Sequence, residues 1–379
     1  MQVQEISMKK TYLALAIAGL ACTSAFAQSN VTIYGIVDTS IHYLSNANAQ
    51  GNSNVRVDNG AIANSRIGFK GTEDLGGGLK AMFQLENGFS SDNGAMLQGG
   101  SLFGRQSWVG LQGSLGKIRM GRQNTPLFDL LADHFDPLTV GNYASNSWLP
   151  AAGTLIRTPN MLRYDNDFGP VSASVSWAFG EQAGSLRTGS QFSSALRYTV
   201  GGFAIGGGYQ QTVSATNSSY KDKVWNLSAS YDFGPAKVFG GWFNIKDQTG
   251  LTGAYMAADS DVSNGWTTAS TVAATPGNQR KDNGFFLGSS YKATNALTLT
   301  GAFYYDKSKN VSYTTLGNVG DGKRYAVVGW ADYALSKRTQ LYTTIDYNKA
   351  RDAAVYELTN SPSGKNSVTT VGVGIRHIF

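Results

Sequence analysis

Sixteen stretches of alternating residues follow one another along this chain, and the segments joining them alternate short and long without exception. In PVSASVSWAFG, Val171, Ala173, Val175, Trp177 and Phe179 oppose Ser172, Ser174, Ser176 and Ala178. In FSSALRYTV, Phe192, Leu196, Tyr198 and Val200 oppose Ser193, Arg197 and Thr199. A period of two with one apolar side is the pattern of a β-strand. Strands are expected at 31–44, 61–71, 79–90, 102–113, 117–122, 159–165, 170–180, 191–200, 202–212, 223–233, 236–247, 284–293, 297–307, 323–335, 338–348 and 367–379. Seven connections are turns such as GSLG at 113 and LSKR at 335; eight are longer and polar, at 45–60, 91–101, 123–158, 181–190, 213–222, 248–283, 308–322 and 349–366.

An up-and-down antiparallel barrel sorts its loops in this way, with tight turns at one rim and long loops at the other. A soluble sandwich also alternates, but it has edges to protect and no reason to sort its connections by length. The polar faces here carry Ser, Thr, Gly and Asn with a few arginines, which suits a water-filled lumen. Stretches of about ten residues suit tilted strands crossing a bilayer. The fold class expected is therefore all-β, a transmembrane antiparallel up-and-down β-barrel of 16 strands. Its last strand, TTVGVGIRHIF, would close the sheet against NVTIYGIVDTSIHY.

The first 27 residues read as a cleaved export leader: Lys9 and Lys10, an apolar run from Tyr12 to Ala21, and Ala25-Phe26-Ala27 before the cut. Met8 is an alternative start to Met1. Leu20 sits one position away from where a lipid-attachment signal at Cys22 would need it. Beyond the leader no run of 18 apolar residues exists, which excludes a spanning helix and leaves the closed barrel as the way through a membrane. Removing residues 1–27 takes away two Lys and one Glu, so 29 basic and 24 acidic residues remain. Residues 28–379 would form one barrel.

The segments NVTIYGIVD (30–38), NSRIGFKGTEDLGGGLKAMFQLE (64–86), RQSWVGLQGSLGKIRMGRQ (105–123), LSKRTQLY (335–342) and GVGIRHIF (372–379) resemble the Gram-negative general porins, the trimeric sixteen-stranded class of β-proteobacteria. The resemblance covers essentially all of the mature chain. It implies an outer-membrane diffusion channel for small hydrophilic solutes and ions, a homotrimer among outer-membrane lipid and lipopolysaccharide, and no cofactor. It also implies that Phe379, with Ile375 and Val373 on the same alternating face, is read by the barrel-assembly machinery.

In such porins the third long loop folds into the barrel and narrows it, and the matching segment here is about 123–158. It contains TPLFDLLADHFDPL, where Leu127, Leu130, Leu131 and Phe135 would form the wall-facing side of a short helix and leave Asp129, Asp133 and Asp136 free for water or the pore. Opposite, phase and resemblance together place Arg66, Arg105 and Arg157 in a lumen cluster, with Lys70, Arg122 and Arg163 as further cations, Trp108 outward, and Asp38 and Glu86 as other lumen acids. A basic wall facing an acidic loop sets a transverse field and an ion preference. The basic excess favours anions mildly; the inward acids oppose that preference.

Other functions fit less well. His42, His134 and His377 build no Ser-His-Asp arrangement, and GTEDLGGGLK lacks the Lys-Ser/Thr and helix of a phosphate loop, so no catalytic residues are assigned. The three loop aspartates with His134 could hold a divalent cation, but solvation of a helix surface is the simpler reading, and no metal is assigned. Dispersed basic residues argue against nucleic acid. A substrate-specific channel and a non-conducting adhesin barrel remain the alternatives within the fold.

Overall fold

In a computed structural model, residues 30–48, 50–139, 148–257, 275–358 and 365–379 are described; the leader expected at 1–27 lies outside them. The strands are β1 (Asn30–Leu44), β2 (Asn54–Asn59), β3 (Arg66–Gly76), β4 (Leu79–Gly88), β5 (Gln106–Gly113), β6 (Gly116–Asn124), β7 (Arg157–Phe168), β8 (Val171–Ala178), β9 (Gln191–Val200) and β10 (Phe203–Val213). They continue as β11 (Lys221–Asp232), β12 (Ala236–Asp247), β13 (Arg280–Lys292), β14 (Leu297–Tyr313), β15 (Gly317–Ala334), β16 (Thr339–Asp352) and β17 (Ser367–Ile378). Apart from β2 and β3, which both pair with β1, the strands pair antiparallel with their chain neighbours, and β17 closes the ring on β1, with Val37 opposite His377. Phe379 bonds backbone to backbone with Gly35 in both directions, at 3.0 and 3.1 Å.

The strand β2 was not expected. It pairs with the far half of β1, and β3 pairs with the near half, so the two form one interrupted stave and the ring has sixteen staves. The interruption, residues 60–65, falls where the sequence pattern starts a strand at 61. Its backbone amides bond instead to side chains of the adjoining wall, on β1 and β16: Ala61 N–H donates to the Tyr342 hydroxyl (2.9 Å) and Ala63 N–H to Asp38 Oδ2 (2.9 Å). A second difference lies at 308–322, expected as a loop. There β14 and β15 run on as a hairpin: a register shift after Ser308 resets the parity, and Val311 and Tyr313 then face in and are buried with Ala353.

The outer face is apolar and exposed, as at Leu111, Leu196, Leu227, Leu287, Val327, Ile345 and Val373. Lipid is the solvent that such a face requires. The densest apolar cluster lies inside the barrel, where Leu127, Leu131, Phe135 and Leu149 from the loop after β6 meet Phe243, Phe286 and Tyr304 of the wall.

Candidate functional site: the loop-narrowed lumen

Thr125 turns the chain into the barrel. Its hydroxyl accepts from Phe128 N–H, Pro126 opens the helix Pro126–Leu130, and a π-turn, Leu131–Phe135, follows. Capping and Pro at the first position are how a short helix can start at a defined residue. The expected apolar face forms, with Leu127, Leu130, Leu131 and Phe135 all buried. What admits it is glycine on the wall: a Cβ at Gly206 would lie 2.8 Å from Phe135, and one at Gly208 3.0 Å from Leu127. Further along, Trp148–Thr154 forms a second helix. Trp148 Nε1–H donates to Asn348 Oδ1 (3.1 Å), and the Arg324 guanidinium lies 4.6 Å from the Trp148 ring centre. The loop thus fills the side of the lumen bounded by β9 to β16.

On the other side lies a cavity of about 440 Å³ lined by Arg66, Arg105, Arg157, Arg376 and Asp133. Glu86 accepts from Arg105 Nε (2.6 Å) and from the Tyr34 hydroxyl (2.8 Å). Arg376 pairs loosely with Asp332 (3.7 Å) and donates from Nε to Gln340 (2.6 Å). Arg66 and Arg157 make no salt bridge among the described residues, and Arg157 lies 5.8 Å from the Phe128 ring centre. A second cavity, about 450 Å³, is lined by Arg119, Arg163, Arg197, Asp129, Asp133 and Asp165, with others. Here the charges are matched: Arg163 pairs with Asp129 (2.6 Å) and Asp165 (2.7 Å), and Arg119 with Asp165 (2.8 Å). Asp133 borders both cavities.

The three loop aspartates are therefore not equivalent, contrary to the expectation that all are free. Asp129 is held by Arg163 and by Asn124 Nδ2 (2.7 Å). Asp136 is buried and accepts from the Tyr304 hydroxyl, which pins the end of the π-turn to the wall. Asp133 is exposed and makes no hydrogen bond or ion pair among the described residues. Partial desolvation, then the Asp129 charge, pushes its carboxyl up to about 6, while desolvation and the Arg197 and Lys237 charges lower His134 to about 4.

The remaining sequence candidates are scattered. Lys70 lies outside both cavities, 5.1 Å from the Tyr34 ring centre. Arg122 donates to the Gly104 carbonyl (2.6 Å) and lines neither cavity. Asp38 is buried and accepts from Tyr342 and Ala63, a structural bracket for residues 60–65. Phe379, Ile375 and Val373 are exposed on the outer face. Trp108 was expected outward and faces in, where the Arg119 guanidinium lies 5.0 Å from its ring centre, and Gly110 faces in with it, towards Arg119. The expectation counted parity from Arg105, but β5 begins only at Gln106, and it is Val109 and Leu111 that are exposed.

Sequence reasoning missed Arg376, Arg119, Asp165 and Arg197. The signal for Arg376 was present, since it shares the small-residue face of Gly372 and Gly374 in the last strand. Its convergence on Arg66, however, depends on ring closure.

The Gram-negative porin family matches residues 14–353 of this chain. The chain is 31% identical over 397 residues to outer membrane porin protein 32 of Delftia acidovorans, covering 98% of this chain and 100% of that one. To an outer membrane porin protein of Bordetella pertussis it is 32% identical over 418 residues, again with 98% and 100% covered. Among solved structures, an anion-selective porin from Comamonas acidovorans aligns with a TM-score of 0.71 at 28% identity, covering 93% of this chain and 100% of that one.

Proposed function

Because this chain belongs to the Gram-negative porin family and is an outer-membrane channel for small hydrophilic solutes and ions, we propose that its selectivity is set where Arg66, Arg105, Arg157 and Arg376 face Asp133 across one cavity. The observation that carries this is the imbalance of charge. Four guanidinium groups border the cavity, Glu86 and Asp332 answer two of them, and Arg66 and Arg157 pair with no described carboxylate. Fixed charge at a constriction lowers the energy of the opposite ion there and raises that of the like ion. The channel therefore prefers anions mildly, as the description of the Comamonas relative supports.

The working unit in this proposal is a homotrimer, delivered through recognition of Phe379 and the alternating Val373 and Ile375 by the assembly machinery. The chain is assigned no catalytic step. The test is single-channel conductance and reversal potential in a planar bilayer under a salt gradient, beside an Arg66→Ala, Arg105→Ala, Arg157→Ala variant. Steps grouped in threes, with an anion-signed potential that weakens in the variant, are expected. A potential that the variant leaves unchanged removes the filter, and silence from inserted protein removes the channel reading.

A further inference from the structure

Among the described residues, Trp108 is the tryptophan that faces the lumen without being packed there. Trp148 and Trp330 join the apolar cluster under the loop, whereas Trp177, Trp225 and Trp242 stand on the outer face. Trp108 is half-buried and belongs to none of the buried apolar clusters, and neither do its wall neighbours Tyr34 and Met82. On the inner face it meets no lipid, so the girdle role of tryptophan does not account for it. Trp108, Met82, Lys70, Gln84, Thr32 and Thr72 line a third cavity of about 310 Å³.

The groups around this cavity are held in place by their polar ends. Trp108 Nε1–H donates to Gln106 Oε1 (3.1 Å), which fixes the indole. The Arg119 guanidinium, 5.0 Å from the indole centre, lines the second cavity and not this one, so the indole stands between a cation and open space. Gln84 Nε2 donates to the Tyr34 hydroxyl (2.5 Å), which in turn donates to Glu86. Lys70 lies 5.1 Å from the Tyr34 ring centre and makes no hydrogen bond or ion pair among the described residues. On β3 it stands beyond Arg66 towards the tight turn into β4, so a solute that has passed the arginine cavity from the long-loop side meets this wall next.

We propose that this cavity is a binding station for small aromatic carboxylates, with Trp108 as the platform for the ring and Lys70 as the anchor for the carboxylate. The proposal rests on the channel reading above and names a solute class for it. A flat ring stacks on the indole, and the carboxylate takes a charge-assisted bond from the unpaired ammonium. Arg119 behind the indole draws on the electron density of its face and so disfavours a cationic ring on the other side. A neutral sugar would use the indole and leave the ammonium unanswered. Both side chains are fixed or free before the solute arrives, so little ordering opposes binding.

The test is block of the chloride current through single channels in a planar bilayer at neutral pH, with benzoate and with cyclohexanecarboxylate, an anion of the same charge and greater hydrophobicity but no flat ring. Benzoate should halve the current at a concentration about threefold lower, the size of one aromatic pair. Trp108→Leu should make the two anions equal, Trp108→Phe should keep most of the preference, and Lys70→Gln should raise both half-blocking concentrations while keeping their ratio. Equal block by the two anions, or none by either, on the unaltered protein overturns the proposal whatever the variants do. So does a preference that survives Trp108→Leu, or a methyl glucoside that blocks as well as benzoate. Chloride conductance before the additions separates the outcomes: a channel that conducts without the preference leaves the channel reading standing, and one that never conducts removes both.

Discussion

Two arginine clusters share this lumen, and they differ in what faces them. Around the second cavity, Arg119 and Arg163 are bound by Asp129 and Asp165, with Ser174 donating to Asp165 as well (2.5 Å). Around the first, four arginines converge on two partnered carboxylates and the unpaired Asp133. The first arrangement braces the loop against β6 and β7, because each charge has a fixed partner. The second leaves charge available to whatever passes. Arginine in a pore is thus two kinds of residue, and the carboxylate opposite decides which.

The largest effect expected follows from breaking the matched cluster. Arg163→Ala strands Asp129 and Asp165 near each other with only Arg119 remaining. Removing one partner of a largely buried pair costs about 3 kcal/mol, the low end for such changes because both aspartates keep some water. Thermal unfolding in detergent should show this loss, and the reversal potential should hardly move. A selectivity change as large as that of the Arg66 or Arg157 variants would erase the distinction between the clusters.

Next in size is the bracket beside the unmatched cluster. Tyr342→Phe removes the hydroxyl that donates to Asp38 (2.5 Å) and accepts from Ala61 N–H (2.9 Å). Leaving a buried carboxylate and a buried amide short of a partner costs roughly 1.5 kcal/mol. Residues 60–65 lead directly into Arg66, so unfolding should come earlier and open-channel noise should rise. Quiet channels of unchanged stability would mean that Asp38 holds this segment without help.

Smaller again is charge reversal within the unmatched cluster. Arg66→Glu with Arg157→Glu should invert the relative energies of anion and cation, each unit charge of the change being worth about 0.5 kcal/mol to an ion about 8 Å away in water. The salt-gradient potential should then change sign. Preservation of the anion sign would move the filter elsewhere in the lumen.

Much of the fold was legible because a strand's parity is a local property: the alternation located the staves, and loop length located the rims. Parity failed where local structure resets it. Trp108 was misplaced because Arg105 precedes β5, and the register shift between Gly121 and Gln123 likewise breaks the count before Arg122. The break at 60–65 was invisible because its bonds are made to Asp38 and Tyr342, the latter 281 residues from Ala61. The loop's apolar face could be read from Leu127, Leu130, Leu131 and Phe135. The fates of Asp129, Asp133 and Asp136 could not, since each depends on what the folded loop meets: Arg163 on β7, open lumen and Tyr304 on β14 respectively.

That difference among the aspartates gives the smallest and sharpest prediction. Asp133 borders both cavities, and its carboxyl is raised to about 6, so it is ionised at neutral pH and protonated in mild acid. Ionised, it offsets one charge of the unmatched cluster; protonated, it offsets none. Anion preference should therefore rise as pH falls through about 6 and be weaker above it, with His134 contributing only near 4, where its own protonation adds positive charge. One unit charge about 8 Å away in water shifts anion and cation by roughly 0.5 kcal/mol each in opposite directions, or about fivefold in relative permeability. Asp133→Asn should abolish the step at 6 and fix the preference at its acid-side value across that range, whereas Asp136→Asn, altering a buried anchor, should leave the step in place. A step that survives in Asp133→Asn would transfer the titration to another group and make the two cavities electrically independent.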